Sequence, residues 1–105
     1  MITIEQLKEV KERTESLNRY LDIDGKKMQY EEEQLRTQDP GFWEDAKRAE
    51  AQMKLVKGLE KWIKGYAAVE TLASELETAY EFFREELVSE AEVDELYARA
   101  LTALE

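Results

Sequence analysis

The chain has 105 residues, 38% of them charged, with a formal net charge of −10 and neither cysteine nor histidine. Without cysteine there is no disulfide or thiolate metal site, and without histidine the commonest general base and zinc ligand are missing. One proline and four glycines are few turn residues for a multi-stranded fold. No apolar run reaches the ~20 residues of a membrane span. We expect one soluble, cytoplasmic, all-α domain over residues 1–105.

The first helix is predicted at residues 4–21. Thr3 and Gln6 form a capping-box pattern at its start, and apolar residues follow at near-heptad spacing. The segment 22–25 contains two aspartates and a glycine, so the helix either stops or kinks there. A second, more polar helix is predicted at about residues 24–37.

A long third helix is predicted after the break Asp39-Pro40-Gly41, at about residues 44–86. Its apolar residues recur in steps of three and four, the period of a helix with one buried face. Gly58 and Gly65 are two turns apart on one side of this helix. Either a neighbouring backbone approaches them closely, which we favour, or they lie on an exposed face.

A last helix is predicted from Ser89, which forms a capping-box pattern with Glu92. Its apolar stripe is still in phase at the final residue, so we expect the protein to continue beyond Glu105. The elements together predict an antiparallel, coiled-coil-like helical bundle of three to four helices built on the long helix.

The long helix carries the candidate binding residues. From residue 46 to 66 basic residues outnumber acidic ones, and five lysines cluster along one side: Lys47, Lys54, Lys57, Lys61 and Lys64. They predict a binding surface, or else a solvated face paired with acids such as Glu50 and Glu60. The aromatic residues Phe42, Trp43, Trp62 and Tyr66 are expected in the core or at the bundle end, with a partner-binding platform as the alternative.

No catalytic, cofactor or metal site is predicted. The runs Glu31-Glu32-Glu33 and Glu85-Glu86 are adjacent residues that point apart on a helix, whereas a hard cation needs several converging oxygens. They are interpreted as solvated acids.

Several motifs resemble the N-terminal helical domain of the bacterial peptide chain release factor 2 family. They cover roughly the first three quarters of the chain, and they are Arg19-Tyr20-Leu21-Asp22, Lys26-Lys27, Glu31, Leu35, Asp39-Pro40-Gly41-Phe42-Trp43-Glu44-Asp45 and Arg48-Ala49. The family often has proline where this chain has Ala46. The pairing of Tyr-Leu-Asp with Asp-Pro-x-Phe-Trp at this separation is the specific part.

The resemblance implies a role in translation termination at UAA and UGA stop codons on the bacterial ribosome. It implies a domain that positions the factor near the stalk base, where the five lysines would contact ribosomal RNA or a stalk protein. Release factor 3 and the remaining domains of the same protein are the other implied partners. The family's Gly-Gly-Gln and Ser-Pro-Phe motifs are absent from these 105 residues, so we expect no peptide-release chemistry and no enzyme activity. The alternative is a free-standing coiled-coil adaptor or scaffold unrelated to termination.

Overall fold

The computed structural model describes every residue from Met1 to Glu105 and contains helices but no strand. The elements are α1 (Ile4–Leu21), α2 (Ile23–Arg36), a 3₁₀ turn (Phe42–Glu44), α3 (Ala46–Arg84) and α4 (Glu90–Leu104). The predicted all-α bundle with one long helix is confirmed. The chain separates into two compact units, and α3 contributes to both: unit 1 is residues 1–20 with 66–105, and unit 2 is Leu21–Gly65.

Unit 1 is built from α1, the C-terminal half of α3, and α4. Its core consists of small and branched side chains from all three helices and of Ile2, just before α1. Each of these residues is at most 8% exposed: Ile2, Leu7, Val10, Ala73, Leu76, Ala79, Val93 and Ala100. Thr14 is the one buried polar residue of α1, and its hydroxyl donates to the Val10 carbonyl at 2.8 Å. That bond satisfies a polar group that would otherwise be costly inside the core.

Two contacts fix the directions of the helices in unit 1. The Met1 amine, just before α1, pairs with Glu90 and Asp94 at the start of α4. Leu104, the last residue of α4, lines a hollow with Leu17 and Tyr20 at the end of α1. Helices α1 and α4 are therefore parallel, and α3 runs against both, because only residues 85–89 connect it to α4.

Unit 2 is an antiparallel pair made by α2 and the N-terminal half of α3. Glu33 near the end of α2 contacts Gln52 near the start of α3, whereas Tyr30 shares a hollow with Ile63 further along α3. The fully buried Ile23 and three residues of α3 supply its apolar interior: Ala49, Val56 and Leu59.

The backbone at Asp22 shows that α1 stops rather than kinks. Asp22 has a left-handed φ of 50°, and its carboxylate accepts a hydrogen bond from the Gly25 N–H at 3.3 Å. The Lys26 ammonium also donates to the Leu21 carbonyl at the end of α1. The end of α1 and the start of α2 are therefore both capped by residues of this short segment.

Four observed boundaries, both ends of α2 and both ends of α3, differ slightly from the predicted ones. Helix α2 occupies Ile23–Arg36 rather than 24–37, and α3 occupies Ala46–Arg84 rather than 44–86. Residues 42–44 form the 3₁₀ turn, so α3 begins only after Asp45, whose carboxylate accepts from the N–H groups of Lys47 and Arg48. At the other end, Glu86 has a φ of 63°, which ends the helix two residues earlier.

Candidate functional site

The five predicted lysines all lie on α3 inside unit 2, and all five are exposed. They form two rows along the helix. Lys47, Lys54 and Lys61 are seven residues apart and make one row, whereas Lys57 and Lys64 make a second row further round the helix. The structure thus gathers the predicted residues on the surface of one helix. Their contact with a ribosome stays a prediction.

Intrahelical ion pairs engage only two of these lysines. Lys54 lies 3.5 Å from the Glu50 carboxylate and Lys64 lies 2.5 Å from that of Glu60. The hydrogen bond to Glu60, reinforced by the charge of that carboxylate, raises the pKa of Lys64 above its ordinary 10.5. Lys47, Lys57 and Lys61 have no ion pair. The paired-acid interpretation therefore describes two of the lysines, and the other three are unpaired.

Charge is divided unevenly between the two units. Unit 2 has nine basic and ten acidic residues, a net charge of −1, whereas unit 1 has six and fifteen, a net charge of −9. Together these account for the −10 of the whole chain. The lysines thus belong to the electrically balanced unit, where an anionic partner meets the least repulsion.

The four aromatic residues considered above differ in how deeply they are buried. Tyr66 is buried, and Phe42 is half-buried with its ring edge-on to Trp43 at a centroid distance of 4.7 Å. Trp43 and Trp62, in contrast, are 62% and 52% exposed. The expectation of core or bundle-end packing is therefore correct for Tyr66 and wrong for Trp62, which lies on the same exposed part of α3 as the lysines.

Gly58 and Gly65 are also on this exposed part of α3. A Cβ atom added to either glycine would have no other heavy atom within 4 Å. The predicted close approach of a neighbouring backbone is therefore wrong, because no element of the chain covers this side of the helix. Sequence reasoning missed that the glycines, Leu55 and Trp62 form one surface, although their spacing of three and four residues was visible.

The Asp39–Asp45 segment, which carries the most specific part of the resemblance, builds the connection between α2 and α3. The Asp39 carboxylate accepts from the Gly41 N–H at 3.0 Å, and the Asp39 carbonyl accepts from the Phe42 N–H at 2.9 Å. A solvent-open hollow of about 460 Å³ adjoins this turn, and its lining includes Arg36 and Arg48. Both Asp39 and Asp45 are engaged as caps, so the motif has a clear structural role.

No group of three or more carboxylates is arranged to hold a metal ion. None of the helices combines the length and the apolar character needed to cross a membrane.

Comparison with known proteins gives one informative relative. The chain is similar to the peptide chain release factor 2 of Tolumonas auensis, with 37% identity over 98 residues that cover 87% of this chain. This is a larger share than the three quarters expected from the motifs. The chain spans about a quarter, 26%, of that relative's length. No family model matches the chain, and no solved structure matches it. The comparison supports a release-factor-like helical segment.

Proposed function

We propose that this chain is the N-terminal helical domain of a release factor 2-like protein that acts in translation termination at UAA and UGA codons. The observation that carries the proposal is the 37% identity to a release factor 2 across 87% of the chain. The structure adds support, since the N–H groups of the motif residues Gly41 and Phe42 both donate to Asp39 in the turn that joins α2 to α3. Because these residues form the turn between two helices, proteins that share the fold are expected to share them.

Its role in the proposal is to position the factor near the stalk base of the bacterial ribosome, in the cytoplasm. Release factor 3 and the remaining domains of the same protein are the other proposed partners. The chain performs no peptide-release chemistry in this proposal, because the Gly-Gly-Gln and Ser-Pro-Phe motifs lie outside these 105 residues.

The proposed ribosome-contacting residues are Lys47, Lys54, Lys57, Lys61 and Lys64. Three of them have no ion pair, and all belong to the unit whose net charge is only −1. A rigid helix also holds their spacing, so binding requires little ordering of the backbone.

A ribosome-binding experiment tests this function. Binding of the chain to 70S ribosomes is compared with binding to ribosomes stripped of their stalk proteins, using the wild type and Lys57→Glu/Lys61→Glu. The matched control, Lys8→Glu/Arg13→Glu, makes the same charge change at exposed positions of α1 that form no ion pair. We expect binding that requires the stalk and is lost in the α3 variant alone. Equal binding to intact and stripped ribosomes contradicts the stalk-base role, and absence of binding favours the adaptor.

A further inference from the structure

The surface of α3 around Gly58 is uncovered, and the side chains of four neighbouring positions flank it. Residues three and four positions away on a helix are surface neighbours. Around Gly58 these are Leu55 and Trp62 on one side and Lys54 and Lys61 on the other. Leu55 is 41% exposed and Trp62 52%, and nothing lies within 4 Å of the position that a Gly58 side chain would take. We call this group of five residues the Gly58 notch.

We propose that the Gly58 notch is a docking surface for an acidic amphipathic helix of another protein. An apolar side chain of that helix sits over Gly58 between Leu55 and Trp62, and its carboxylates face Lys54 and Lys61. The inference rests on the proposed function in one respect, because it names the chemistry of a partner that meets two of the five proposed ribosome-contacting lysines, Lys54 and Lys61.

The spacing along α3 favours a helical partner. In helix–helix packing, a side chain of one helix inserts into a hole formed by four residues of the other, and the pattern repeats every seven residues. Gly65 follows Gly58 by seven residues and is equally open. Lys47, Lys54 and Lys61 are also seven apart. A partner helix with apolar residues seven apart therefore matches the two glycines. Acids seven apart beside those apolar residues match the row of Lys47, Lys54 and Lys61.

The composition of the notch favours a protein over RNA. Half of its rim is apolar, and burial of Leu55 and the Trp62 ring supplies a driving force that a phosphate backbone cannot use. RNA binding draws on many cations that each neutralise a phosphate. Only two lysines flank the notch, which is too few for a contact of that kind.

A second copy of the chain is a weaker candidate for the partner. Helix α2 exposes Met28 and Leu35, seven residues apart, with Asp24 and Glu31 beside them, so it has the required spacing. Such a contact joins two different surfaces, so it would keep adding copies instead of closing into a dimer. The charge of −10 on each copy also opposes it.

The test uses the whole 105-residue chain and a synthetic helical peptide of about 21 residues, three heptads, with leucines and glutamates each seven apart. Trp43→Phe leaves Trp62 as the single tryptophan, because the chain has two, so its fluorescence reports binding at the notch. Lys54→Glu/Lys61→Glu is compared with Lys57→Glu/Lys64→Glu, which makes the same charge change on the same helix away from the notch.

We expect the peptide to shift Trp62 fluorescence and the Lys54/Lys61 pair of substitutions to weaken binding about tenfold or more. The Lys57/Lys64 pair should change affinity less than about threefold. Gly58→Gln fills the notch and should also abolish binding. Because glutamine is the better helix former, this variant should unfold at a higher temperature than the wild type. Its loss of binding would therefore not be a loss of fold.

Four results would overturn the inference. They are no binding of the peptide, equal weakening by both lysine pairs, preference for an RNA hairpin over the peptide, and self-association in sedimentation that Met28→Lys abolishes. Ribosome binding measured in parallel separates the two proposals. If the chain binds the peptide at the notch but does not bind ribosomes, the docking surface is supported and the termination role is contradicted. If the chain binds ribosomes but not the peptide, the termination role is supported and the docking surface is contradicted.

Discussion

The side-chain amide of Gln52 on α3 donates to both the backbone carbonyl and the carboxylate of Glu33 on α2, at 2.9 and 2.6 Å. Glu33 is one of only two buried polar residues in the chain, at 9% exposure. A single side chain of α3 therefore satisfies a buried acid of α2, and the pair sets the register of the two helices in unit 2.

Gln52→Ala should lower the free energy of unfolding by about 2 kcal/mol, because the buried Glu33 carboxylate loses its hydrogen-bond donor and keeps only the Arg36 guanidinium, 3.7 Å away. Urea unfolding followed by circular dichroism measures the change. Gln29→Ala, at an exposed position of α2, is the matched control and should leave stability nearly unchanged. Equal effects of the two substitutions would show that the Glu33 contact contributes nothing specific.

Gly58→Ala and Gly65→Ala should each stabilise the chain by up to about 1 kcal/mol, because alanine is the better helix former and nothing obstructs its Cβ. Gly25→Ala should do the opposite, since its Cβ would lie 2.2 Å from the Asp22 carboxylate that caps α2. Thermal unfolding of the three variants checks both directions. A destabilised Gly58→Ala would mean that the notch is covered in solution.

Glu86→Gly should stabilise unit 1 by about 1 kcal/mol. The end of α3 has the two hydrogen bonds of a Schellman motif, from the Glu86 N–H to the Phe83 carbonyl and from the Leu87 N–H to the Phe82 carbonyl. This motif requires a left-handed residue, and the φ of 63° at Glu86 is costly for any residue with a Cβ. Glu85→Gly, one residue earlier, should destabilise instead. Thermal unfolding checks both predictions, because Glu86→Gly should melt at a higher temperature than the wild type and Glu85→Gly at a lower one.

The stability of unit 1 should decrease as the Met1 amine loses its proton. Hydrogen bonds to Glu90 and Asp94, at 2.8 and 3.2 Å, raise the pKa of this amine above its ordinary 8.0. A raised pKa in the folded state means that the contribution is fully present below pH 8.0 and is lost as the pH rises through the folded value.

Unfolding measured across that range should therefore show a decrease that Glu90→Gln/Asp94→Asn removes. N-terminal acetylation, which eliminates the charge, is the second control. An unchanged pH profile in the acetylated chain would assign the decrease to other groups.

Local signals in the sequence were enough to predict much of this fold. The capping pattern of Thr3 and Gln6 is present as two reciprocal hydrogen bonds, and Ser89 accepts from the Glu92 N–H as expected. Such caps involve residues three positions apart, so neighbouring residues alone determine them. The Asp39-Pro40 break and the helical period of α3 are local in the same sense.

The exposed side of α3 and the end of α1 could not be predicted from neighbouring residues alone. The sequence shows that Gly58 and Gly65 share a side of α3 with Leu55 and Trp62, but not whether another helix covers that side. Whether α1 stops or kinks at Asp22 was equally open, because an aspartate followed by a glycine three residues later is compatible with both.

The sequence by itself therefore determined the helices, their ends to within two residues, the five lysines on one helix and the similarity to a release factor. Only the tertiary structure decided which side of each helix is buried. Ile23 is fully buried and Gly58 is open because of contacts between residues far apart in the chain. The periodicity of a single helix gives the direction of its apolar residues, whereas burial depends on which other helices pack against it.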